Sequence, residues 1–312
     1  MHVLFMGTGN FAVPSLKALL ASGCQVIGVV TQPDRPAGRG RQLKVSAVKQ
    51  AALEVGIPIH QPESVRSEDF IELVRGLSPD AIVVAAFGQI IPKAILDIPR
   101  FGGVNVHASL LPKYRGAAPV HHALFHGETR TGVTTMLMDT GLDTGPILLQ
   151  REVEICAEDN EGALEARLAE IGAGLLTETL EGLERGDITP KPQDDSLAVY
   201  APSVKKEDCM ISWKEESLSI ANRVRGCTPR PGAYTFWRGS PLKIWACHAL
   251  EDMEATGEPG EIIGVDGNGI IVRAGHGAVL LTEVQPENKK RMRAVDFARG
   301  YNVKRGASFN LI

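Results

Sequence analysis

The chain has 312 residues, 44% of them hydrophobic and 22% charged, and a formal net charge of -4. That length accommodates two domains with full cores, and the composition excludes a disordered or fibrous chain. No apolar run approaches the roughly 20 residues that cross a bilayer, and residues 1–7 enter a strand pattern without a charged leader, so a cytoplasmic protein with no membrane association is expected.

The cysteines Cys24, Cys156, Cys209, Cys227 and Cys247 are odd in number and far apart, which points to neither a disulfide framework nor a metal site. The acidic excess belongs to residues 1–200. Residues 201–312 carry more Lys and Arg than Asp and Glu.

Residues 2–6 read as a buried strand, Gly7-Thr8-Gly9 as a turn, 12–22 as a helix stopped by Gly23, and 25–31 as a second strand. This strand–helix–strand start predicts a parallel sheet with right-handed crossovers. The turn also fits the dinucleotide pattern G-x-G-x-x-G/A, with Asp34 as a ribose partner. A dinucleotide site and a plain tight turn both satisfy it, the plain turn being the commoner. Residues 32–49 exceed the length of an ordinary connection of this type. From Arg35 to Lys49 they hold five cations (Arg35, Arg39, Arg41, Lys44, Lys49) and no acid. A solvated surface loop and a phosphate-contacting loop are both open.

The alternation continues through a helix at 48–55, a strand at 57–61, a helix at 67–75, strands at 81–86 and 103–107, a helix at 119–125, strands at 131–138 and 147–154, and a long helix at 159–185. Residues 187–202 have no period and contain Pro190, Pro192 and Pro202, so they read as a semi-rigid linker. Beyond lie a helix at 218–227, strands at 233–237 and 242–250, a hairpin at 261–273 around Asp266-Gly267-Asn268-Gly269, and a strand at 278–284. The expected fold is α/β: a Rossmann-like, open, mostly parallel sheet in residues 1–187, a linker at 188–203, and a smaller OB-like β-barrel domain in residues 204–312.

Asn105 and His107 alternate on the strand at 103–107 and so face one side of it. Pro112 lacks an N–H and disfavours helix at Leu111, so the chain leaves that strand as an extended loop able to offer backbone groups to a ligand. Asp143 lies in the glycine-rich turn after the strand at 131–138. If the two strands are neighbours, a carboxylate, an imidazole and a carboxamide converge. The carboxylate would orient the ring, and amide and imidazolium N–H groups suit an oxygen that gains charge as a carbonyl goes tetrahedral. No Ser, Cys or Lys is evidently paired with the histidine as a nucleophile. The set therefore points to acyl-group transfer without a covalent enzyme intermediate. A satisfied core Asn-x-His pair is the alternative.

Two stretches decide between these. Asn105-Val106-His107-Ala108-Ser109-Leu110-Leu111-Pro112-Lys113-Tyr114-Arg115-Gly116, followed by Met138-Asp139-Thr140-Gly141-Leu142-Asp143-Thr144-Gly145, resembles the formyltransferases that use 10-formyltetrahydrofolate. Within that group, Thr31-Gln32-Pro33-Asp34-Arg35-Pro36-Ala37-Gly38-Arg39-Gly40, the linker and a C-terminal domain ending in a basic segment look like the methionyl-tRNA formyltransferases. The resemblance covers nearly the whole chain. It implies Asn105, His107 and Asp143 as the catalytic set, Ser109, Leu110, Leu111 and Pro112 as the folate-binding loop, and no metal. It also implies 10-formyltetrahydrofolate as formyl donor, methionyl-initiator tRNA as acceptor, and a first turn kept as fold architecture, which demotes NAD. Phosphate contacts are expected from Arg39, Arg41 and Lys44 and from Lys289, Lys290, Arg291 and Arg293. A monomer is expected. A sugar-nucleotide N-formyltransferase shares the catalytic stretch and is the competing reading, although the Arg-rich loop would not be expected there.

Overall fold

The computed structural model describes residues 1–37, 42–254 and 256–309. Contacts divide the chain into two compact units, one of residues 1–116, 130–154 and 165–200, the other of residues 117–129, 155–164 and 201–312.

The first unit is built on β1 (His2–Gly7), α1 (Ala12–Ala21), β2 (Gln25–Val30), β3 (Arg35–Ala37), β4 (Gln42–Lys44), α2 (Ala47–Glu54), β5 (Ile59–His60), α3 (Glu68–Leu77), β6 (Ala81–Ala85), α4 (Lys93–Leu96) and β7 (Gly103–His107). Its seven-stranded sheet runs β5-β2-β1-β6-β7 and ends on β8 (Arg130–Leu137) and β9 (Ile147–Glu154). The first five strands are parallel, and β8 and β9 are antiparallel. β6 and β7 are buried along their whole length, the signature of a sheet covered on both faces. That explains why these segments read as continuous apolar runs. Leu4, Met6, Ile82 and Val84 pack with Phe70, Ile71 and Val74 of α3 on one side. β3 and β4 pair antiparallel, Arg35 opposite Lys44, so part of the basic 32–49 segment is strand.

α6 (Glu161–Arg185) packs on the part of the sheet that carries β7 and β8. A Cβ on its Gly172 would sit 2.9 Å from Val106 Cγ1 and 3.1 Å from Val133 Cγ1, so helix and strands approach as closely as glycine permits. The hydroxyls of Thr135 and Thr179 meet at 2.8 Å in the same buried layer. After α6 the chain stays on this unit. Ile147 and Lys191 exchange two backbone hydrogen bonds of 2.8 Å, and Arg115 N–H donates to Val199 O at 2.8 Å. Residues 188–200 of the stretch read as a linker are thus bonded in place.

The second unit contains α5 (Pro119–Phe125), α7 (Ser217–Gly226), β10 (Ala233–Trp237), β11 (Ser240–Leu250), β12 (Ile262–Val265), β13 (Ile270–Arg273), β14 (Ala278–Pro286), β15 (Met292–Arg293) and α8 (Ala294–Gly300). The strands form an antiparallel sheet in the order β10-β11-β14-β13-β12, with β15 on β14. Burial alternates along β10 and β14, so one face is core and the other is wetter. Trp213 is fully buried, stacks on Phe309 at 5.6 Å, and donates its Nε1–H to Thr235 Oγ1 at 3.0 Å. Cys209 and Cys227 lie in this core. α8 is not apparent in the sequence, where its seven residues are too few to show a helical period amid the surrounding charges. No helix among the described residues is long and apolar enough to cross a membrane.

Gly172→Leu should destabilise the first unit by about 1–3 kcal/mol through overpacking against Val106 and Val133, outweighing the gain of about 1 kcal/mol in helix propensity. A lowered denaturation midpoint in urea checks it.

Candidate active site

β7 delivers Asn105 and His107 to one face, and both are buried, with 9% and 6% of their surface exposed. β8 is the direct neighbour of β7 with Asn105 opposite Met136 and His107 opposite Thr134, so the turn after β8 returns beside them. That turn brings in Asp143. Its Oδ1 accepts Asn105 Nδ2–H at 3.3 Å, and its Oδ2 accepts Gly116 N–H at 2.9 Å and lies 3.6 Å from His107 Nδ1. The other ring nitrogen, Nε2, is 2.9 Å from Tyr114 O. A carbonyl only accepts, so Nε2 carries a proton and Nδ1 is the nitrogen left for a substrate and for the Asp143 carboxylate. The carboxamide, imidazole and carboxylate expected to converge therefore do so.

Asp143 has φ 53°, in the left-handed region that costs a non-glycine residue about 1–2 kcal/mol. The turn is tight throughout. Asp139 accepts Gly141 N–H and the Thr144 hydroxyl, and a Cβ on Gly145 would lie 1.8 Å from Leu137 O. Outside it, Gln193 Nε2 donates to Asp143 O and to Gly145 O, both at 2.8 Å. Gln193 Oε1 in turn accepts from Arg115 Nε at 3.0 Å and Nη2 at 2.8 Å, and that Nη2 also reaches Asp195 Oδ1 at 2.7 Å. Arg115 is 1% exposed.

The loop after β7 is held by β8 and β9. Thr134 Oγ1 donates to Ser109 O at 2.6 Å and accepts Leu111 N–H at 3.1 Å; Gln150 Nε2 donates to Leu111 O and Thr134 Oγ1, both at 2.9 Å. Ser109 Oγ donates to Lys113 O at 2.6 Å. Leu111 N–H and Leu111 O are thus each bonded within the protein, in a turn that Lys113 N–H closes on Leu110 O at 3.1 Å rather than in the extended loop expected from Pro112. Ser109 and Leu111 are buried, while Leu110 and Pro112 are half-buried and keep accessible surface.

The sequence pattern assigns no role to Arg115, Thr134, Gln150 or Gln193. Arg115 stands in the identifying stretch, but nothing local shows that it is buried. Gln193 lies in a segment without periodicity, so no pattern could aim it.

The first turn is occupied by its own fold. Thr8 N–H donates to Ala86 O at 3.2 Å and its hydroxyl to Phe87 O at 3.0 Å. Asp34 is paired with Lys49 and accepts Gln61 Nε2–H at 3.0 Å; the Lys49 ammonium, then Gln61, hold its carboxyl below the usual carboxylate range. An acid so engaged is not offering its oxygens to a ribose, so the plain-turn reading of the glycine pattern prevails. Arg39 and Arg41 lie outside the described residues, and of Lys44 only the backbone in β4 is described. Lys289, Lys290, Arg291 and Arg293 are all exposed on the second unit. Arg291 pairs with Glu283 and stands 5.5 Å from the Trp245 ring, and Arg293 pairs with Asp296 at 3.0 Å. Among the described residues no group of three or more His, Cys, Asp or Glu is placed to hold a metal ion.

Comparison with known proteins gives this geometry a context. The family described as formyl transferase matches residues 1–180, and the formyl transferase C-terminal domain matches residues 203–302. The chain is 53% identical over 306 residues to the methionyl-tRNA formyltransferase of Syntrophus aciditrophicus, covering 98% of both chains. It is 50% identical over 306 residues to the methionyl-tRNA formyltransferase of Citrifermentans bemidjiense, covering 98% of this chain and 95% of that one. Among solved structures, the sugar 3N-formyl transferase WlaRD, crystallised with dTDP and 5-N-formyl-THF, superposes with a TM-score of 0.65 at 21% identity, over 93% of this chain and 99% of that one. HypX from Aquifex aeolicus in complex with tetrahydrofolic acid superposes with a TM-score of 0.63 at 17% identity, over 99% of this chain and 48% of that one. These two likenesses speak to fold alone. With both domains matched and about half of all positions identical to relatives of the same length, the chain belongs to the formyl transferase family.

Proposed function

We infer that the chain transfers the formyl group of 10-formyltetrahydrofolate to the α-amino group of methionyl-initiator tRNA, giving N-formylmethionyl-tRNA for translation initiation in the cytoplasm. The observation that carries the reading is the end-to-end match, across both domains, to proteins named methionyl-tRNA formyltransferase. The site's chemistry agrees with it. Among the described residues no side-chain nucleophile is bonded to His107, so direct attack by the acceptor amine is favoured over a covalent enzyme intermediate.

In this reading Asn105 and His107 hold the formyl oxygen. One Nδ2–H of Asn105 is spent on Asp143 and the other remains for the oxygen; His107 offers Nδ1–H when protonated. Asp143 stabilises that imidazolium and receives, directly or through water, the proton that the amine loses as it forms the new C–N bond. The same group of residues returns a proton to N10 of the folate as the old C–N bond breaks, so protons balance over the cycle. Leu110 and Pro112 supply contact surface to the folate, with Ser109 and Leu111 shaping the loop from inside.

We assign the chemistry to residues 1–187 and acceptor binding to residues 204–312, with 188–203 joining them. Arg39, Arg41, Lys44, Lys289, Lys290, Arg291 and Arg293 are proposed to contact tRNA phosphates.

Asn105→Ala, His107→Ala and Asp143→Ala should each lower formylation of methionyl-initiator tRNA by about 10²-fold or more, with unchanged circular dichroism. Near-normal rates in all three, or turnover only when an amino-sugar nucleotide replaces the tRNA, would refute the reading. Charge reversal at Lys290 and Arg291 should weaken tRNA binding and flatten the log–log salt slope by about 1 for each phosphate no longer neutralised. An unchanged slope contradicts their assignment.

A further inference from the structure

Asp143 is held from two sides. Its carboxylate meets Asn105 and Gly116 N–H, while its main-chain carbonyl, together with that of Gly145, is held by the Gln193 amide. The orientation of that amide is dictated by its other end. Arg115 has only donors, and two of them point at Gln193 Oε1. Turning the amide over would set NH₂ against a guanidinium and an oxygen against two carbonyls, so the observed orientation is the one both sides accept. Arg115 belongs to the loop whose Tyr114 carbonyl fixes the His107 ring and whose Gly116 N–H holds Asp143. One side chain thus ties together the loops that present His107 and Asp143. It also does so where the turn most needs holding, at a non-glycine residue with φ 53° beside a glycine that has no room for a Cβ.

We propose that Gln193, backed by the buried Arg115, is a positioning residue for formyl transfer: it sets the Asp143 carboxylate against Asn105 and His107, and the stretch after α6 is in this sense part of the catalytic unit. The proposal rests on the reading of Asp143 as catalytic. It gives the Gln193 amide no contact with either substrate, so its influence passes through Asp143.

The test is a double-mutant cycle on the full chain, in which Gln193→Glu, Asp143→Asn and the pair are compared in single- and multiple-turnover formylation. Gln193→Glu keeps the length of the side chain and an oxygen for Arg115, but cannot donate to the two carbonyls. It is expected to lower kcat about 10²-fold, with KM for tRNA and for 10-formyltetrahydrofolate within threefold of the parent. In the Asp143→Asn background the same change should cost less than threefold, because the carboxylate being positioned is gone. A normal kcat in Gln193→Glu, a loss carried in KM, or losses that multiply in the pair would overturn the proposal. Near-normal turnover in Asp143→Asn would instead sink the reading of Asp143 as catalytic on which the proposal stands. If Gln193→Glu does not fold, Gln193→Met takes its place in the cycle, and if neither folds the role is structural and the proposal fails.

Discussion

The site depends on one carboxylate. Asp143 sits largely out of water, where an unpaired anion is costly, and each of its oxygens is engaged: Oδ1 by Asn105, Oδ2 by Gly116 N–H with the His107 ring close by. Those partners come from one strand and the loop that follows it, so satisfying the carboxylate also orders the Asn105 and His107 side chains to which the chemistry is assigned by proposal. Removing the carboxylate would leave the Asn105 amide donor and the Gly116 N–H without the oxygens they bond. The same interaction settles the ring. With Nε2–H spent on the Tyr114 carbonyl, the imidazole faces the carboxylate and the substrate through Nδ1 alone.

The fold supplies this arrangement at the point where its sheet changes direction. β7 is the last of the parallel strands, and β8 runs back beside it. β8 starts beside the carboxyl end of β7 and runs back to its amino end, with Leu137 opposite Val104, and the turn that follows folds back to bring Asp143 onto Asn105 and His107. α6 packs against the back of the same two strands through Gly172. The second unit obeys different rules, with antiparallel strands that alternate between a core centred on Trp213 and a wetter face.

Much of this was legible in the residues alone, for reasons that differ from place to place. β1, β6 and β7 are buried on both faces and announce themselves as apolar runs, and Asn105 and His107 stand out because two polar side chains at a spacing of two on such a strand need partners. Asp143 could be guessed because glycines crowd its turn. Arg115 and Gln193 could not be: a buried guanidinium is defined by partners far off in sequence, and residues 188–200 take their course from backbone bonds to Ile147 and Arg115 rather than from any local period. The clustering of residues 117–129 and 155–164 with the C-terminal unit is likewise a tertiary fact. At Ser109–Pro112 the expectation of an extended loop fails: β7 ends at His107, and Pro112 sits in a turn that Lys113 N–H closes on Leu110 O, with Thr134 and Gln150 holding the Leu111 backbone. Asp34 illustrates the opposite case, a residue at the right spacing for a ribose whose charge is already matched by Lys49.

The most direct measurement of the central arrangement is a long-range ¹H–¹⁵N correlation spectrum of the protein labelled at histidine, with the His107 signals assigned through the His107→Gln variant. The account predicts that the neutral His107 ring carries its proton on Nε2, facing the Tyr114 carbonyl. A neutral His107 carrying its proton on Nδ1 would contradict it, because Nε2 could then not donate to the Tyr114 carbonyl 2.9 Å away.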